Sequence, residues 1–289
     1  MNFQTAEELL SLCEAQHIPI SKAMLEREKT ISHMNEEEIL KAMHHAYDIM
    51  KNAVSRALNE DLVSMGGLIG GEAKKVYARK DKSACGPLVS KAISYAMGVL
   101  EVNTSMGLIV AAPTAGSSGV IPGVFRAIQE ENDFSDEQMI EALLNAGAIG
   151  YIITRNATVS GAEGGCQAEV GAASAMAASA VCELLGGTPR QCLDAASTAL
   201  ANILGLVCDP VGGLVEAPCQ NRNAMGASNA LISAEITLAG IKHLVPFDET
   251  VEAMYKVGRS MPFELRETAL GGLAATKSAC QRCQGIFLQ

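Results

Sequence analysis

The chain has 289 residues and is long enough to bury a sizeable core. Apolar residues make up 48% but aromatic ones only 4%, with no Trp, so the interior must be built from Ala, Leu, Ile, Val, Met and Gly. A formal charge of -10 excludes a nucleic-acid phosphate backbone as the expected partner, since such binding draws on clustered Lys and Arg.

Helix-start signals open the chain. Thr5 with Glu8 and Asn35 with Glu38 have capping-box spacing, and the first of these helices carries Cys13 on an amphipathic pattern. Acidic Glu7 and Glu8 stand where an export signal would be basic. A glycine-rich break follows at Gly66–Gly71. The most apolar stretch, Met106 to Phe125, is interrupted by Pro113, Gly116, Ser117, Ser118, Gly119 and Pro122, too often for a simple bilayer-spanning helix, so a soluble cytoplasmic protein is expected. Its core, Pro113 to Gly123, reads as a second break.

Ser135 with Gln138 starts a helix whose apolar positions Met139, Ile140, Leu143, Leu144 and Ala146 have helical spacing. Only Gly107–Ala112 and Tyr151–Val159 have enough β-branched residues to be ambiguous. A third glycine-rich break, Gly161–Gly165, delivers Cys166 to the start of an Ala-rich helix, Ala168 to Leu185, that stops at Gly186 and Gly187. A thiol at a helix N-terminus feels the positive end of the dipole, which favours the metal-binding thiolate. The competing reading is a small apolar residue closing a tight turn. Thr188, Pro189 and Gln191 open another helix, running to Leu204.

Cys208 and Cys219 bracket a loop rich in Pro and Gly. By spacing alone the three loop cysteines give a moderate metal signal, weaker than a zinc ribbon or ferredoxin. Cys182 and Cys192 lie among Ala and Leu inside predicted helices and, with Cys13, read as core. The expected fold is all-α, one domain over residues 1–289, with N-terminal helices to about residue 60 packed on the core and a tail from about 278. Nine cysteines in a reducing compartment are not expected to form a disulfide framework.

Six segments taken together resemble the catalytic (alpha) part of the bacterial iron-sulfur-dependent L-serine dehydratases. They are Ala112–Gly119 (APTAGSSG), Ala146–Gly150 (AGAIG), Asn156–Gly171 (NATVSGAEGGCQAEVG), Gly205–Val211 (GLVCDPV), Pro218–Asn223 (PCQNRN) and Arg266–Ala274 (RETALGGLA). The resemblance implies that Cys166, Cys208 and Cys219 hold a [4Fe-4S] cluster with one open iron, and that the reaction turns L-serine into pyruvate and ammonia. It also implies a tail cysteine able to reach that iron, at Cys280. Cys283 and six further residues depart from the family pattern there.

The substrate carboxylate needs donors, and Thr114, Ser117 and Ser118 lie in a loop that resembles an anion nest, with Ser105 a weaker candidate. Lys277 and Glu163 are the base candidates, although a Lys near a C-terminus is usually solvated and a Glu beside paired glycines often only caps a helix. His17, His33, His44, His45 and His243 fall outside every matched segment and read as surface or packing residues. Arg222 and Arg266 read as structural ion-pair partners.

A pyridoxal-phosphate dehydratase would carry out the same net reaction, but the helical pattern and lysine contexts do not suit it. A cysteine desulfidase of related architecture and a non-catalytic iron-sulfur protein are the alternatives. The family occurs in single-chain and two-chain forms, and this chain starts almost directly with catalytic sequence. A separate beta subunit, and so a hetero-oligomer, is expected.

Overall fold

The computed structural model describes residues 2–286, with side chains to 282. The sequence caps set the helix boundaries. Asn35, Ser135 and Thr188 form reciprocal capping boxes with Glu38, Gln138 and Gln191 at the starts of α3 (Glu36–Asn59), α7 (Asp136–Asn156) and α10 (Pro189–Ala201), satisfying amides that the first helical turn leaves free. Thr5 caps α1 (Ala6–Gln16), but the Glu8 carboxylate accepts from Gln4 N at 2.6 Å, so the box there is not closed.

The other helices are α2 (Ile20–Ser32), α4 (Glu72–Tyr77), α5 (Gly86–Thr104), α6 (Val120–Asn132), α8 (Gly161–Gly164), α9 (Ala172–Leu184), α11 (Cys219–Leu238), α12 (Phe247–Ser260) and α13 (Lys277–Ile286). The described residues contain no strand, only an isolated bridge between Cys208 and Arg266. The fold is all-α, as the sequence predicts. None of these helices is long and apolar enough to cross a membrane.

Helix α9 is the hub, with α6, α7, α10 and α11 packed around it. Every residue from Ala172 to Cys182 is buried. Alanines each remove little apolar surface from water, but they let the surrounding backbones approach closely and make many dispersion contacts. Polar anchors fix the register: Ser174 donates to Gly226 O at 2.9 Å, and Asn229 donates to Ser174 Oγ at 2.9 Å and to Ala199 O at 2.8 Å. These bonds join α9, α10 and α11, and being fully buried they are costly to break.

Three sequence boundaries differ. The stretch 107–112 is neither strand nor helix, and Tyr151–Asn156 is the last part of α7. The break expected over Pro113–Gly123 ends early, because Val120–Gly123 form the first turn of α6. At Gly119 a Cβ would collide with the Ala96 carbonyl of α5, so the glycine is required by the close approach of the two helices. Helix α10 stops at Ala201 rather than Leu204, in a turn ending at Gly205, whose φ of 86° most side chains would resist.

Candidate active site

Three loops meet at one end of α9. The first enters the Ala-rich helix through Cys166. Residues Gln167–Gly171 form a single π-turn before α9 begins, a wide turn that is frequent at functional sites. Gln167, fully buried, holds this entry: its Nε2 donates to Gly164 O and to Met254 O, each at 2.9 Å, and its Oε1 accepts from Gly205 N at 2.9 Å. One amide thus ties the Cys166 loop to α12 and to the segment leading into Cys208.

The second loop carries Cys208 and Cys219. Asp209 accepts from Leu273 N at 2.6 Å and pairs with Arg222 at 2.7 Å, while Arg222 also donates to Val207 O at 2.9 Å. Arg222 is therefore a structural partner, as expected. Contrary to the expectation of a structural pair, among the described residues Arg266 makes no ion pair and its buried Nε has no hydrogen-bond partner.

The third loop is Pro113–Gly119. Asn223 fastens it to the Cys219 helix: its Nδ2 donates to Gly116 O at 2.8 Å and to Cys219 O at 2.9 Å, and its Oδ1 accepts from Gly119 N at 3.0 Å.

Cys166, Cys208 and Cys219 are all buried. The Cys166 and Cys208 thiols share a hydrogen bond, which together with burial raises the Cys208 pKa. Burial and the charge of Cys166 push Cys219 up to about 12, against a smaller lowering from Arg222. Metal binding requires the thiolate form, which a bound cation favours. Among the described residues no three His, Cys, Asp or Glu side chains converge on a point that would hold one ion. A multi-iron cluster does not require such convergence, because each thiolate binds a different iron.

A carboxylate that sequence reasoning passed over stands beside the thiols. Glu169 projects from the π-turn, and its Oε1 accepts from Thr114 Oγ1 at 2.7 Å. Thr114 Oγ1 lies 3.1 Å from Ser117 Oγ. Desolvation raises the Glu169 pKa to about 7 against the smaller opposing effect of Thr114, and the negative charge of Glu267 adds to the rise.

Glycines let the backbone approach this group closely. A Cβ at Gly161 would stand 2.6 Å from Glu169 Oε2 and 3.1 Å from Cys208 Sγ, and one at Gly116 would stand 3.1 Å from Glu169 Oε1. Buried sulfurs on two loops, a facing carboxylate and a cradle that a methyl group would fill are consistent with a cluster and a small substrate.

The remaining predicted residues are placed as follows. Ser117 and Ser118 are fully buried, and among the described residues Ser118 Oγ has no hydrogen-bond partner. The amides of Ser117, Ser118 and Gly119 already donate to Thr114 O, Ala115 O and Asn223, so within 115–119 those of Ala115 and Gly116 are left for an anion. Ser105 ends α5 and donates to Val102 O at 3.0 Å. Glu163 is exposed on α8 and accepts from Thr158 Oγ1 at 2.6 Å. Lys277 is exposed at the start of α13. Cys280 is exposed on the same helix, its Sγ 3.8 Å from Ala274 O, and α13 packs against the Val211–Gly213 turn of the cysteine loop. The Cys283 side chain lies outside the described residues.

An all-helical scaffold with buried loop thiols and an adjacent raised carboxyl defines a candidate enzyme site. Residues 15–274 match the family model described as serine dehydratase alpha chain, and the chain belongs to that family. It is 49% identical to the probable L-serine dehydratase alpha chain of Bacillus subtilis, over 99% of this chain and 95% of that one. It is 48% identical to the L-serine dehydratase alpha chain of Peptoniphilus asaccharolyticus, over 99% and 98%. The L-serine dehydratase of Streptomyces coelicolor is 40% identical over 96% of this chain, which spans 62% of that longer protein.

Proposed function

We propose that this chain is the catalytic subunit of an L-serine ammonia-lyase that dehydrates L-serine to pyruvate and ammonia. The reading is carried by one observation: the Glu169 carboxyl, raised to about 7, packed against Gly116 and Gly161 beside three buried thiols. Cys166, Cys208 and Cys219 would hold a [4Fe-4S] cluster, which when bound supplies a Lewis acid for the departing hydroxyl.

The protein groups account for the proton. Thr114 occupies Glu169 Oε1, which leaves Oε2, on the side of Gly161, to take the α-hydrogen of serine. A carboxyl with a pKa near the working pH is a suitable general base, so we assign that role to Glu169 in preference to Lys277 and Glu163. Thr114 and Ser117 hold the base, while the free amides of Ala115 and Gly116 offer donors to the substrate carboxylate. Loss of hydroxide leaves 2-aminoacrylate, which tautomerises to the imine and hydrolyses to pyruvate and ammonia.

The alpha-chain names of the relatives support a separate beta subunit as partner, and the retained thiols suit a reducing cytoplasm. The test is anaerobic reconstitution followed by iron and sulfide analysis and pyruvate assay, for the chain alone and with its beta subunit. Serine-dependent pyruvate and bound iron are expected. Iron without turnover of serine, or sulfide release from L-cysteine in preference to it, would overturn the assignment.

A further inference from the structure

An α-amino acid brings three groups to this site: a hydroxyl, a carboxylate and an ammonium. The residues described so far address the first two and the α-hydrogen. The ammonium needs an anion that is neither the base nor held by another protein group, because a carboxylate already in an ion pair has little to offer a second cation.

Glu267 meets that description. The segment Leu265–Glu267 runs beside Cys208: Cys208 N donates to Leu265 O at 2.9 Å, and Glu267 N donates to Cys208 O at 2.7 Å. Glu267 therefore sits next to one of the three thiols by backbone geometry alone. Its φ is 64°, a left-handed conformation that residues with side chains adopt at a cost and that clusters at ligand sites. Among the described residues its exposed carboxylate has no hydrogen bond or ion pair. Its charge nevertheless reaches Glu169, Cys208 and Cys219. Arg222, a cation whose charge reaches Cys219, is paired with Asp209. The site thus has an excess of negative charge, and a cationic ligand group would balance it.

We infer that Glu267 receives the substrate ammonium and makes the site selective for α-amino acids over their deaminated analogues. The inference deepens the serine-dehydratase reading and rests on it. The strained backbone fixes the carboxylate at the edge of the site, where it can bind the ammonium while Glu169 stays free to take the adjacent hydrogen.

The test uses the reconstituted holoenzyme with its beta subunit, in wild-type, Glu267→Gln and Glu267→Asp forms, with two ligands that are not turned over. L-Alanine carries the ammonium and lacks the hydroxyl, and 3-hydroxypropanoate carries the hydroxyl and lacks the ammonium. By calorimetric titration, Glu267→Gln should weaken L-alanine about 10- to 100-fold, the range of one lost charge-assisted bond, and leave 3-hydroxypropanoate within about twofold. The KM for serine should rise with L-alanine's dissociation constant, and Glu267→Asp should recover part of both losses. Equal weakening of the two ligands, or no change in either, would overturn the assignment while leaving the dehydratase reading intact. A wild-type holoenzyme that neither binds L-alanine nor consumes serine would instead overturn that reading and this inference with it.

Discussion

The molecule contains two groups of three buried cysteines, and the contrast between them separates chemistry from packing. Cys13, Cys182 and Cys192 lie on α1, α9 and α10, each at most 1% exposed. Cys182 and Cys192 share a hydrogen bond, and the charge of Cys13 reaches Cys192. Cys166, Cys208 and Cys219 are buried almost as well, with Cys166 and Cys208 hydrogen-bonded in the same way. Burial is therefore common to both groups. The difference lies in the backbone: one group belongs to helix interiors among Ala and Leu, the other to loop ends where glycine lets the backbone come close to Cys208 and Glu169. A cysteine's setting says more about its role than its depth does.

The largest expected difference comes from replacing cysteines in each group. Cys166→Ser, Cys208→Ser or Cys219→Ser should abolish bound iron and sulfide after anaerobic reconstitution and lower serine turnover by more than about 10³-fold, since ligation is lost with the thiolate. Iron retained in all three variants would erase the distinction.

Next comes the base. Glu169→Gln should lower kcat by about 10²- to 10⁴-fold with iron content unchanged, which separates proton transfer from cluster binding. In the wild type, kcat/KM should rise with pH through about 7 as the carboxyl ionises.

The same carboxyl affects stability. Its folded pKa, about 7, lies above the ordinary value of 4.5. The folded chain therefore binds this proton more tightly, and the stabilisation is complete below about 4.5 and lost as pH rises through about 7. Urea unfolding of the cluster-free protein at pH 5 and pH 8 should show that Glu169→Gln removes about 3 kcal/mol of the pH-dependent loss. An unchanged difference would mean that Glu169 is better solvated than its surroundings imply.

The smallest effect belongs to the interior group. Cys182→Ala or Cys192→Ala should cost about 1–2 kcal/mol in the same unfolding experiment, as for a small core truncation, and leave iron and turnover intact.

Much of this contrast is legible in the sequence. Cys182 and Cys192 fall on helical positions in an Ala-rich context, and the loop cysteines sit next to Gly and Pro, so local pattern separates helix from loop cysteines while only the resemblance implies a ligand role. The helix starts at Ser135 and Thr188 are legible for the same reason, since a capping box is built from residues three apart. Glu169 is not, because its role depends on Thr114, 55 positions away, and on a π-turn that helical periodicity does not announce. The available signal was its position three residues after Cys166, one helical turn on and thus on the same side of the chain. Glu267 was hidden in the same way, within a matched segment but next to Cys208 only after folding. Gly119 shows the converse: it looked like loop and is a helix contact.

The buried amide of Gln167 has a consequence for the order of biogenesis. It bonds to Gly164, Gly205 and Met254, so the sulfur-bearing loops reach their final spacing only once α12, made late in synthesis, has docked. Iron and sulfide would then enter a finished polypeptide rather than template a nascent one, and a chain ending before α12 should collect none.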